Sequence, residues 1–467
     1  MTAPKTLDTP YQPTRIFGAP YRTATIGILL VVTLTAFEGM SVGVVMPTVS
    51  RQLNALDLYG VSFSAFLIAS LFANVVSGLW SDRRGYTLPF LVGVVLFVAG
   101  MGLAGAAETK QLFVVARAVQ GLGAGSTIVA IYVMIARVYP PVVRPKVFAA
   151  LSAAWVVPAM VGPAVAGGVS QLWGWRWVFF GIIPLVIPAL VMLIPALKQS
   201  PRGDGVVPSY GPRSRAWPMT IAAGSAAAGA GLLLYGIDQA HLTPAVSLPL
   251  GVLGLGMLGY GLYRLLPPHA LVFARGLPTT IMMRGMFSGA FFGVNAFIPL
   301  ALTDVKGFSV SQAGLALTTG ALGWSAGSYL QSVRDGDASR RIRLGAACVM
   351  AGVLLTALSV LPGSQLLGWA AVPAWIVAGF GMGIGMTTVS VTALKQSPVN
   401  EQGANSAALS VTDMLGSALT IGIGGALVNL IGHDQRQIAV GFVVIVGCMG
   451  ALGLAATLLA GRTRTPQ

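Results

Sequence analysis

Residues 78–88 read Gly-Leu-Trp-Ser-Asp-Arg-Arg-Gly-Tyr-Thr-Leu and form a short charged loop between two apolar runs, residues 61–80 and 87–107. Each run has about 20 residues, the length that a helix needs to cross the hydrocarbon core of a bilayer. Gly85 permits the tight turn that would join the two helices at one membrane surface. The stretch therefore predicts a hairpin of two transmembrane helices.

The composition of the whole chain extends this prediction. Of its 467 residues, 55% are hydrophobic and 60 are glycine, whereas only 9% are charged. An ordinary soluble protein has about 25% charged residues, so the apolar side chains of this chain must face lipid. The net charge of +15 is distributed over short loops between the apolar runs, a pattern that does not indicate binding to nucleic acid.

Apolar runs of similar length recur along the chain and predict an all-α integral membrane protein with fourteen transmembrane helices. The seventh and eighth runs contain no Asp, Glu, Lys, Arg or His between Met219 and Ile237 or between Ala245 and Tyr263, and a structureless loop of this length is uncommon. The predicted spans are 24–48, 61–80, 87–107, 111–138, 145–171, 175–197, 217–237, 244–266, 278–303, 311–333, 341–362, 367–394, 403–431 and 437–461.

The distribution of Lys and Arg predicts the orientation of the chain. Most of them lie in the loops on one side of the predicted spans, the side that also holds both termini. Because cytoplasmic loops carry the excess of Lys and Arg, both termini are predicted to be cytoplasmic. The loops of the other side contain only Arg51, Lys110, Arg176, Lys306 and Arg436.

An internal repeat relates the fourth span to the twelfth. Residues 121–129 and 381–389 each contain three glycines at alternate positions, so that Gly121, Gly123 and Gly125 align with residues 381, 383 and 385. A weaker similarity aligns residues 78–82 of the second span with residues 327–331 of the tenth. Glycines of this kind can also serve close helix packing alone.

The repeat predicts two six-helix bundles separated by two inserted helices. Paired bundles of this kind are typical of transporters, which hold their binding site at the interface between the repeats. The predicted units are a cytoplasmic tail (1–23), an N-terminal bundle (24–197), a linker with the two inserted helices (198–277), a C-terminal bundle (278–461) and a second cytoplasmic tail (462–467).

Four motifs resemble those of the major facilitator superfamily, and within it the drug:proton antiporters with fourteen helices. Residues 78–88 are similar to the family's loop between helices 2 and 3, and residues 117–123, Arg-Ala-Val-Gln-Gly-Leu-Gly, to its helix 4 motif. Residues 162–168, Gly-Pro-Ala-Val-Ala-Gly-Gly, resemble the helix 5 motif associated with exporters. Residues 37–47 resemble the helix 1 motif of the fourteen-helix group, with Glu38 in place of the usual Asp.

The resemblance implies a proton-coupled secondary active transporter that exports lipophilic compounds by alternating access, with cations favoured, as a multidrug efflux pump does. The alternatives are a dedicated exporter of a metabolite or lipid, and a proton-coupled uptake symporter. An enzyme is not indicated, because the sequence has no His pair, Cys pair or carboxylate cluster that could supply a nucleophile, a base or metal ligands. A Walker-type loop for nucleotide binding is also absent from the sequence.

The expected partners are a lipophilic small molecule, protons and the lipid bilayer. No cofactor, metal, nucleotide or nucleic acid is expected. Arginine greatly outnumbers lysine, and Ala, Gly and Val are frequent, a composition typical of GC-rich bacterial genomes. We therefore expect the inner membrane of a bacterial cell as the location, and we also expect a monomer.

Two carboxylates, Glu38 and Asp413, lie deep within predicted spans. An ionisable group in the hydrocarbon costs roughly 2.5–3.5 kcal/mol unless it pairs or lines a cavity. Glu38 lies about 15 Å from the outer end of its span at 1.5 Å per residue, and competition between a proton and a cation for one carboxylate is sufficient for antiport. Together with Arg117, which couples protons in the resembled family, they are the predicted proton-coupling residues.

Alternatives remain for each of these charges. Glu38 and Arg117 could form a permanent structural ion pair. Asp413 could be a cation site, or could bond the backbone of a neighbouring helix beside Thr412. Arg284, nearer the cytoplasmic end of the ninth span, is expected to extend its side chain to the lipid headgroups.

Two further motifs of the resembled family are associated with a cytoplasmic gate and with a close contact between helices. At the cytoplasmic mouth, Asp82 could cap a helix or pair with Arg137 and so hold an internal gate shut. The glycines and Pro163 of the fifth span would let it pack closely against the tenth span. The predicted gate residues are Gly78, Asp82, Arg83, Arg84, Gly85 and Arg137, and the predicted exporter motif is Gly162, Pro163, Gly167 and Gly168.

Large or polar side chains on the spans that would surround a central cavity are candidates for substrate contact. Flexible Met and aromatic walls suit a pocket that binds many compounds, although most such residues simply face lipid or neighbouring helices. The candidates are Phe37, Met40, Gln120, Tyr132, Trp155, Phe291 and Asn295.

Overall fold

A computed structural model of the chain describes residues 15–198, 216–334, 336–398, 401–432 and 434–465. Within these ranges every regular element is a helix, as predicted. Parts of both predicted tails (1–14 and 466–467) and part of the predicted linker (199–215) lie outside the described residues.

Sixteen α-helices occupy the described ranges, and each predicted span coincides with a helix or with two consecutive helices. The sixth predicted span is divided into α6 and α7, and the ninth into α10 and α11. The bounds are α1 Arg22–Gln52, α2 Tyr59–Arg84, α3 Thr87–Gly105, α4 Lys110–Val138, α5 Arg144–Leu172, α6 Arg176–Phe180, α7 Ile183–Lys198, α8 Ala216–Asp238, α9 Pro244–Leu265, α10 Leu277–Asn295, α11 Ile298–Lys306, α12 Val310–Val333, α13 Ala338–Leu355, α14 Ala371–Gln396, α15 Gln402–Ile431 and α16 Gln435–Leu459.

Within the described ranges, thirteen helical segments are long and apolar enough to cross a membrane, which makes the chain a multi-pass membrane protein. The helix α12 is not among them, because Ser, Thr and Gln side chains lower its hydropathy. It packs against α5 and α14. A fourteenth transmembrane span at α12 stays a prediction.

The helices form two bundles with a hairpin between them in sequence. The first bundle contains α1–α7, the second contains α10–α16, and the hairpin α8–α9 packs on α2 and α15 where the two bundles adjoin. The two helices of the hairpin approach each other so closely at Gly236 and Gly251 that a side chain would not fit. A Cβ at Gly236 would lie 2.5 Å from the Gly251 Cα. At the end of α8, the Asp238 carboxylate accepts a hydrogen bond of 2.7 Å from the Asn429 amide of α15.

Glycine contacts define the repeat between the bundles. In the first bundle, Gly121 and Gly125 press α4 against backbone carbonyls of α2, at Phe66 and Ser70. In the second bundle, α14 meets α12 in the same way. The equivalent contacts are Gly379 against the Gly320 carbonyl and Gly383 against the Trp324 carbonyl.

Contacts on the other side of α4 give the same correspondence. Gly123 meets Phe97 of α3, and Gly381 meets Val349 of α13. Gly121, Gly123 and Gly125 therefore correspond to residues 379, 381 and 383, and the predicted alignment with 381, 383 and 385 was wrong by two residues. Because α14 has a fourth glycine at the same spacing, the alternating pattern of the sequence fits the predicted and the corrected alignment equally well. Only the contacts between the helices distinguish the two alignments.

The weaker predicted alignment was also wrong. Ser70 of α2 and Trp324 of α12 hold the same place against their glycine partners, so Gly78 corresponds to Ser332 and not to Gly327. In the corrected register, Arg117 corresponds to Trp375. The repeat is thus a repeat of backbone packing, within which the side chains of the two bundles differ.

The two bundles are joined at one end by polar contacts. We call the end where α1 begins the termini end, and the end where α1 stops the far end. At the far end, the Tyr59 hydroxyl donates 2.8 Å to the carbonyl of Ala296, which lies in the break between α10 and α11. Arg51 also lies 3.6 Å from Asp304 across the bundles, so the far end is closed by contacts between the bundles.

Candidate functional site

The first of two intramembrane ion pairs joins α1 to α4. Arg117 Nη1 donates to Glu38 Oε1 at 2.5 Å and to Gln120 Oε1 at 2.6 Å. The side chains of Arg117 and Glu38 are only 3% and 1% exposed. The guanidinium carbon also lies 4.5 Å from the centroid of the Phe66 ring, a cation–π distance. The pair is therefore sealed inside the first bundle.

Local packing explains why these groups meet. Gln120 follows Arg117 by one helical turn, so both side chains lie on one face of α4. Gly121 lets α4 approach the backbone of Phe66, which brings the aromatic ring beneath the guanidinium. Gly100 of α3 makes room for the backbone of Gln120 from the other side.

Several polar atoms around this pair are buried without a hydrogen-bond partner in the part of the chain that the structure describes. They are Glu38 Oε2, Arg117 Nε, Gln120 Nε2 and Ser41 Oγ. Buried polar groups are normally paired. Since Arg117 contacts Oε1, the Oε2 atom of Glu38 can accept a proton while the contact between the two residues is still in place.

The second ion pair joins α10 to α15. Arg284 donates to Asp413 Oδ2 from Nε at 3.0 Å and from Nη2 at 2.8 Å, and its Nη1 donates to Ser390 Oγ of α14 at 2.8 Å. Ser288 donates to Asp413 Oδ1. The side chains of Arg284 and Asp413 are 25% and 26% exposed, so this pair is accessible where the first is sealed.

Two sequence interpretations are wrong at this pair. Arg284 does not extend to the membrane surface, because a carboxylate of another helix lies within reach and an intramembrane arginine gains more from pairing. Asp413 does not bond the backbone of a neighbouring helix. That bond is made instead by Thr412, whose hydroxyl donates 3.1 Å to the Ile281 carbonyl.

Tyr132 of α4, in the first bundle, lies near the second pair. It lies within electrostatic range of both Arg284 and Asp413, and its side chain is 44% exposed. A gap therefore separates α4 from α10 and α15 at this level, about 10 Å from the termini end of α10 at 1.5 Å per residue. We call this gap the cleft.

Trp155 holds the place in the first bundle that Asp413 holds in the second. Gly60 of α2 approaches the Ile421 carbonyl of α15, and the corresponding Gly314 of α12 approaches the Pro163 carbonyl of α5. Pro163 and Ile421 are therefore equivalent positions. The residues at the same distance before each of them along the chain, Trp155 and Asp413, are equivalent in turn. Trp155 is 39% exposed.

The second bundle has a neutral contact where the first has its sealed ion pair. Trp375, the counterpart of Arg117, donates from Nε1 to Asn295 Oδ1 at 3.1 Å. The Trp375 ring is fully buried and stacks on Phe291 with 4.6 Å between centroids. Phe291, Asn295 and Gln120 were predicted as cavity residues. In this structure Phe291 and Gln120 are buried inside the bundles and Asn295 is half-buried, because the spacing predicts a helix but not which of its faces borders a cavity.

The predicted exporter motif lies where α5 meets its neighbours. A Cβ at Gly162 would make ordinary contacts of about 3.5 Å with Phe37 and Met40 of α1. Gly167 and Pro163 pack against α12, as predicted, with a Gly167 Cβ placed 2.9 Å from the Ser311 Cα. Gly168 faces open space. Phe37 and Met40 therefore adjoin the motif at the α1–α5 contact.

The predicted gate loop is fixed at the termini end. Gly85 ends α2 with a φ of 79°, which favours glycine. The Tyr86 hydroxyl donates 2.7 Å to the Ala196 carbonyl of α7, and burial raises the pKa of Tyr86 to about 12. Asp82 and Arg137 are half-buried, whereas Arg83 and Arg84 are exposed. The contact between Asp82 and Arg137 stays a prediction.

Comparison with known proteins gives a family. The sequence profile of the Major Facilitator Superfamily matches residues 28–421. The chain is 25% identical to a probable multidrug-efflux transporter of Mycobacterium tuberculosis over 88% of each chain. It is 25% identical to the multidrug efflux pump SdrM of Staphylococcus aureus, over 36% of this chain and 38% of SdrM.

A further relative is the Acurin A biosynthesis cluster MFS-type transporter of Aspergillus aculeatus, 26% identical over 57% of this chain and 50% of that protein. These matches to SdrM and to the Aspergillus protein thus span half or less of the relative's length. Among solved structures, a peptide transporter POT in complex with sulfate has a TM-score of 0.69 at 14% identity over 97% of both chains. The nucleoside transporter NupG has a TM-score of 0.62 at 14% identity over 93% of this chain and 99% of that one. At such identities the structural likeness concerns the fold alone.

Proposed function

Since the chain belongs to the Major Facilitator Superfamily, we propose that it is a proton-coupled exporter of lipophilic compounds, with cations favoured, of the fourteen-helix antiporter type. Membership makes it a transporter. The proton coupling, the direction of transport and the substrate class are the proposed parts. They rest on the two ion pairs, on the closed far end of the bundles and on the named relatives.

The sealed Glu38–Arg117 pair is the observation that carries the coupling proposal. Glu38 is buried, it has one cation beside it, and its second carboxylate oxygen has no hydrogen-bond partner in the described chain. A proton on that oxygen removes the negative charge and weakens the hold on Arg117. Because the two states of the pair then favour different arrangements of α1 and α4, proton binding can shift the balance between inward and outward access.

Of the two roles predicted for Asp413, proton coupling and a cation site, we assign it the second, as the site for the cationic group of the substrate. It lies in the cleft with Arg284 and Tyr132, whereas Glu38 and Arg117 are withdrawn from it. The contacts at the far end close that side of the bundles, and the cleft residues are accessible. With the termini end on the cytoplasmic side, this arrangement would load substrate from the cytoplasm, as an exporter requires.

The gate loop and the exporter motif complete the cycle. The loop of residues 78–88 lies at the termini end and would hold the cytoplasmic side shut in the outward-facing state. The α5–α12 contact, built on Gly167 and Pro163, would remain in place as a hinge. We place the transporter, as a monomer, in the inner membrane of a bacterial cell with both termini in the cytoplasm.

Two kinds of relative support two substrate ranges. The efflux pumps named above favour export of many lipophilic compounds. The relative from a biosynthesis cluster favours the second candidate, a dedicated exporter of one metabolite or lipid. Both candidates use the same coupling site and differ only in the breadth of the cleft's selectivity.

Purified protein in liposomes with an imposed pH gradient tests the proposal. A fluorescent lipophilic cation and the internal pH are followed together, for wild type, Glu38→Gln and Glu108→Gln. Glu108 is exposed at the far end between α3 and α4, so its variant makes the same chemical change outside the bundle. We expect opposing proton and cation fluxes in wild type and Glu108→Gln, and neither coupled flux in Glu38→Gln.

Glu38→Asp retains a carboxylate and should retain part of the coupling, which separates the loss of a titrating group from a loss of folding. Proton flux that never accompanies the cation contradicts the proposal. So does normal proton exchange in Glu38→Gln.

A further inference from the structure

The carboxylates deep within the described spans are each compensated by one arginine. Among the described residues, the carboxylates placed deep in transmembrane helices are Glu38 and Asp413, and each contacts one arginine. Neither site therefore has an uncompensated negative charge. A substrate that carries only a positive charge would be attracted by the carboxylate and repelled by the arginine a few ångström away.

Only the second pair is open to a substrate. Arg284 and Asp413 are about a quarter exposed, whereas Arg117 and Glu38 are almost wholly buried. Tyr132 of the first bundle lies within electrostatic range of the second pair. The accessible charge in the cleft is thus a dipole, positive on α10 and negative on α15.

A dipole is complemented by a ligand with the opposite dipole. A cationic group placed against Asp413 and an anionic group placed against Arg284 both gain, and neither meets a like charge. A charge-assisted hydrogen bond to a carboxylate is also the interaction for which a guanidinium is best suited.

We propose that Arg284, Asp413 and Tyr132 select amphoteric substrates, that is, lipophilic molecules with both a cationic and an anionic group. The inference rests on the proposed export function and narrows its substrates from cations in general to cations that also carry an anionic group. The repeat supports it, because the position of Asp413 is occupied by Trp155 in the first bundle. The same backbone position therefore packs with an uncharged side chain, and the packing of the fold does not require the charge of Asp413.

A matched set of dyes tests the charge requirement. Rhodamine B carries a cationic xanthene and a free carboxylate, its ethyl ester carries the cation alone, and fluorescein is anionic. Transport by wild-type protein in liposomes with a pH gradient is measured for each dye, after subtraction of leakage into liposomes without protein. We expect the KM of rhodamine B to be about tenfold below that of its ester, the ratio that corresponds to about 1.4 kcal/mol of binding free energy.

Variants at the pair should redirect this preference. Arg284→Gln leaves Asp413 unpaired and should reverse the ratio in favour of the cationic ester. Asp413→Asn leaves Arg284 unpaired and should favour fluorescein. The double variant Arg284→Gln/Asp413→Asn lacks both charges of the pair and should discriminate among the dyes by less than about twofold, since neither charged partner remains.

The outcomes separate this inference from the proposed function. Equal or better transport of the ester by wild type overturns the amphoteric class even if every variant fails to fold. An unchanged dye ratio in a folded Arg284→Gln also overturns it. If the dyes move without any opposing proton flux, the export function fails instead, and the dye preference still decides the selectivity of the cleft.

Discussion

The Glu38–Arg117 pair and the Arg284–Asp413 pair have the same chemistry in different surroundings. The first lies in the interior of one bundle, with its side chains at most 3% exposed, and the second borders the cleft with about a quarter of each side chain exposed. A sealed pair can exchange its partner only for something as small as a proton. An accessible pair can exchange its partner for a substrate.

The repeat makes this comparison sharper. The glycines that hold α4 to α2 and α3 recur in α14 against α12 and α13, so the backbone scaffold is duplicated. The charges are not duplicated, because Trp375 stands at the position of Arg117, and Trp155 at that of Asp413. Each bundle thus holds one ion pair at a place where the other bundle holds an aromatic side chain.

The largest expected difference between the pairs is in stability. Glu38→Gln leaves Arg117 charged and buried, since arginine does not lose its proton, and removal of one partner of a buried pair costs about 3–5 kcal/mol. Asp413→Asn leaves a partly exposed arginine that keeps its Ser390 contact, and should cost about 1 kcal/mol. Thermal unfolding in detergent, followed by tryptophan fluorescence, measures both. Equal losses would show that the two pairs are buried alike.

The duplicated scaffold predicts similar effects at paired glycines. Gly121→Ala and Gly379→Ala each place a methyl group against a backbone carbonyl, and overpacking of this kind costs about 1–3 kcal/mol. Gly102→Ala, where a Cβ would meet nothing, is the control in a neighbouring helix. The same unfolding assay should give similar losses for the pair and none for the control. A neutral Gly379→Ala would refute the corrected register.

A smaller effect is expected at the neutral counterpart of the sealed pair. Trp375→Phe removes the donor to Asn295 but keeps the ring stack on Phe291, and loss of one neutral hydrogen bond costs about 0.5–1.5 kcal/mol. Trp177→Phe, at an exposed position of α6, should cost less. Proton coupling should be unchanged in both variants. A loss of coupling in Trp375→Phe would mean that the second bundle also takes part in proton transfer.

The smallest effect concerns the loop of the second bundle that corresponds to the gate loop. A hydrogen bond from the backbone N–H of Arg340, together with Arg464, lowers the pKa of Asp337 below its ordinary value of 3.8. A lowered pKa in the folded state adds stability above pH 3.8, which is lost as the pH falls through the lowered pKa. Wild type and Asp337→Asn should therefore differ at neutral pH and converge in acid. A difference that does not change with pH would contradict this assignment.

The helices and the two-bundle architecture follow from the sequence because hydrophobic length and glycine spacing are local properties. The pairing of Arg284 with Asp413 was missed, although Arg117, Arg284 and two acids lie well within the predicted spans, and intramembrane charges pair. The open face of each helix was not predictable either. Gln120 and Phe291 have the spacing of cavity residues, but only the packing against Arg117 and Trp375 shows that they are enclosed.

The central claim is that the sealed pair couples protons and the accessible pair binds substrate. The ratio of protons to substrate molecules moved, measured at once in liposomes containing Asp413→Asn or Glu38→Gln, tests it most directly. We predict that Asp413→Asn keeps the wild-type ratio with an altered substrate preference, while Glu38→Gln moves no protons. Loss of proton flux in Asp413→Asn, with normal proton flux in Glu38→Gln, would contradict the account.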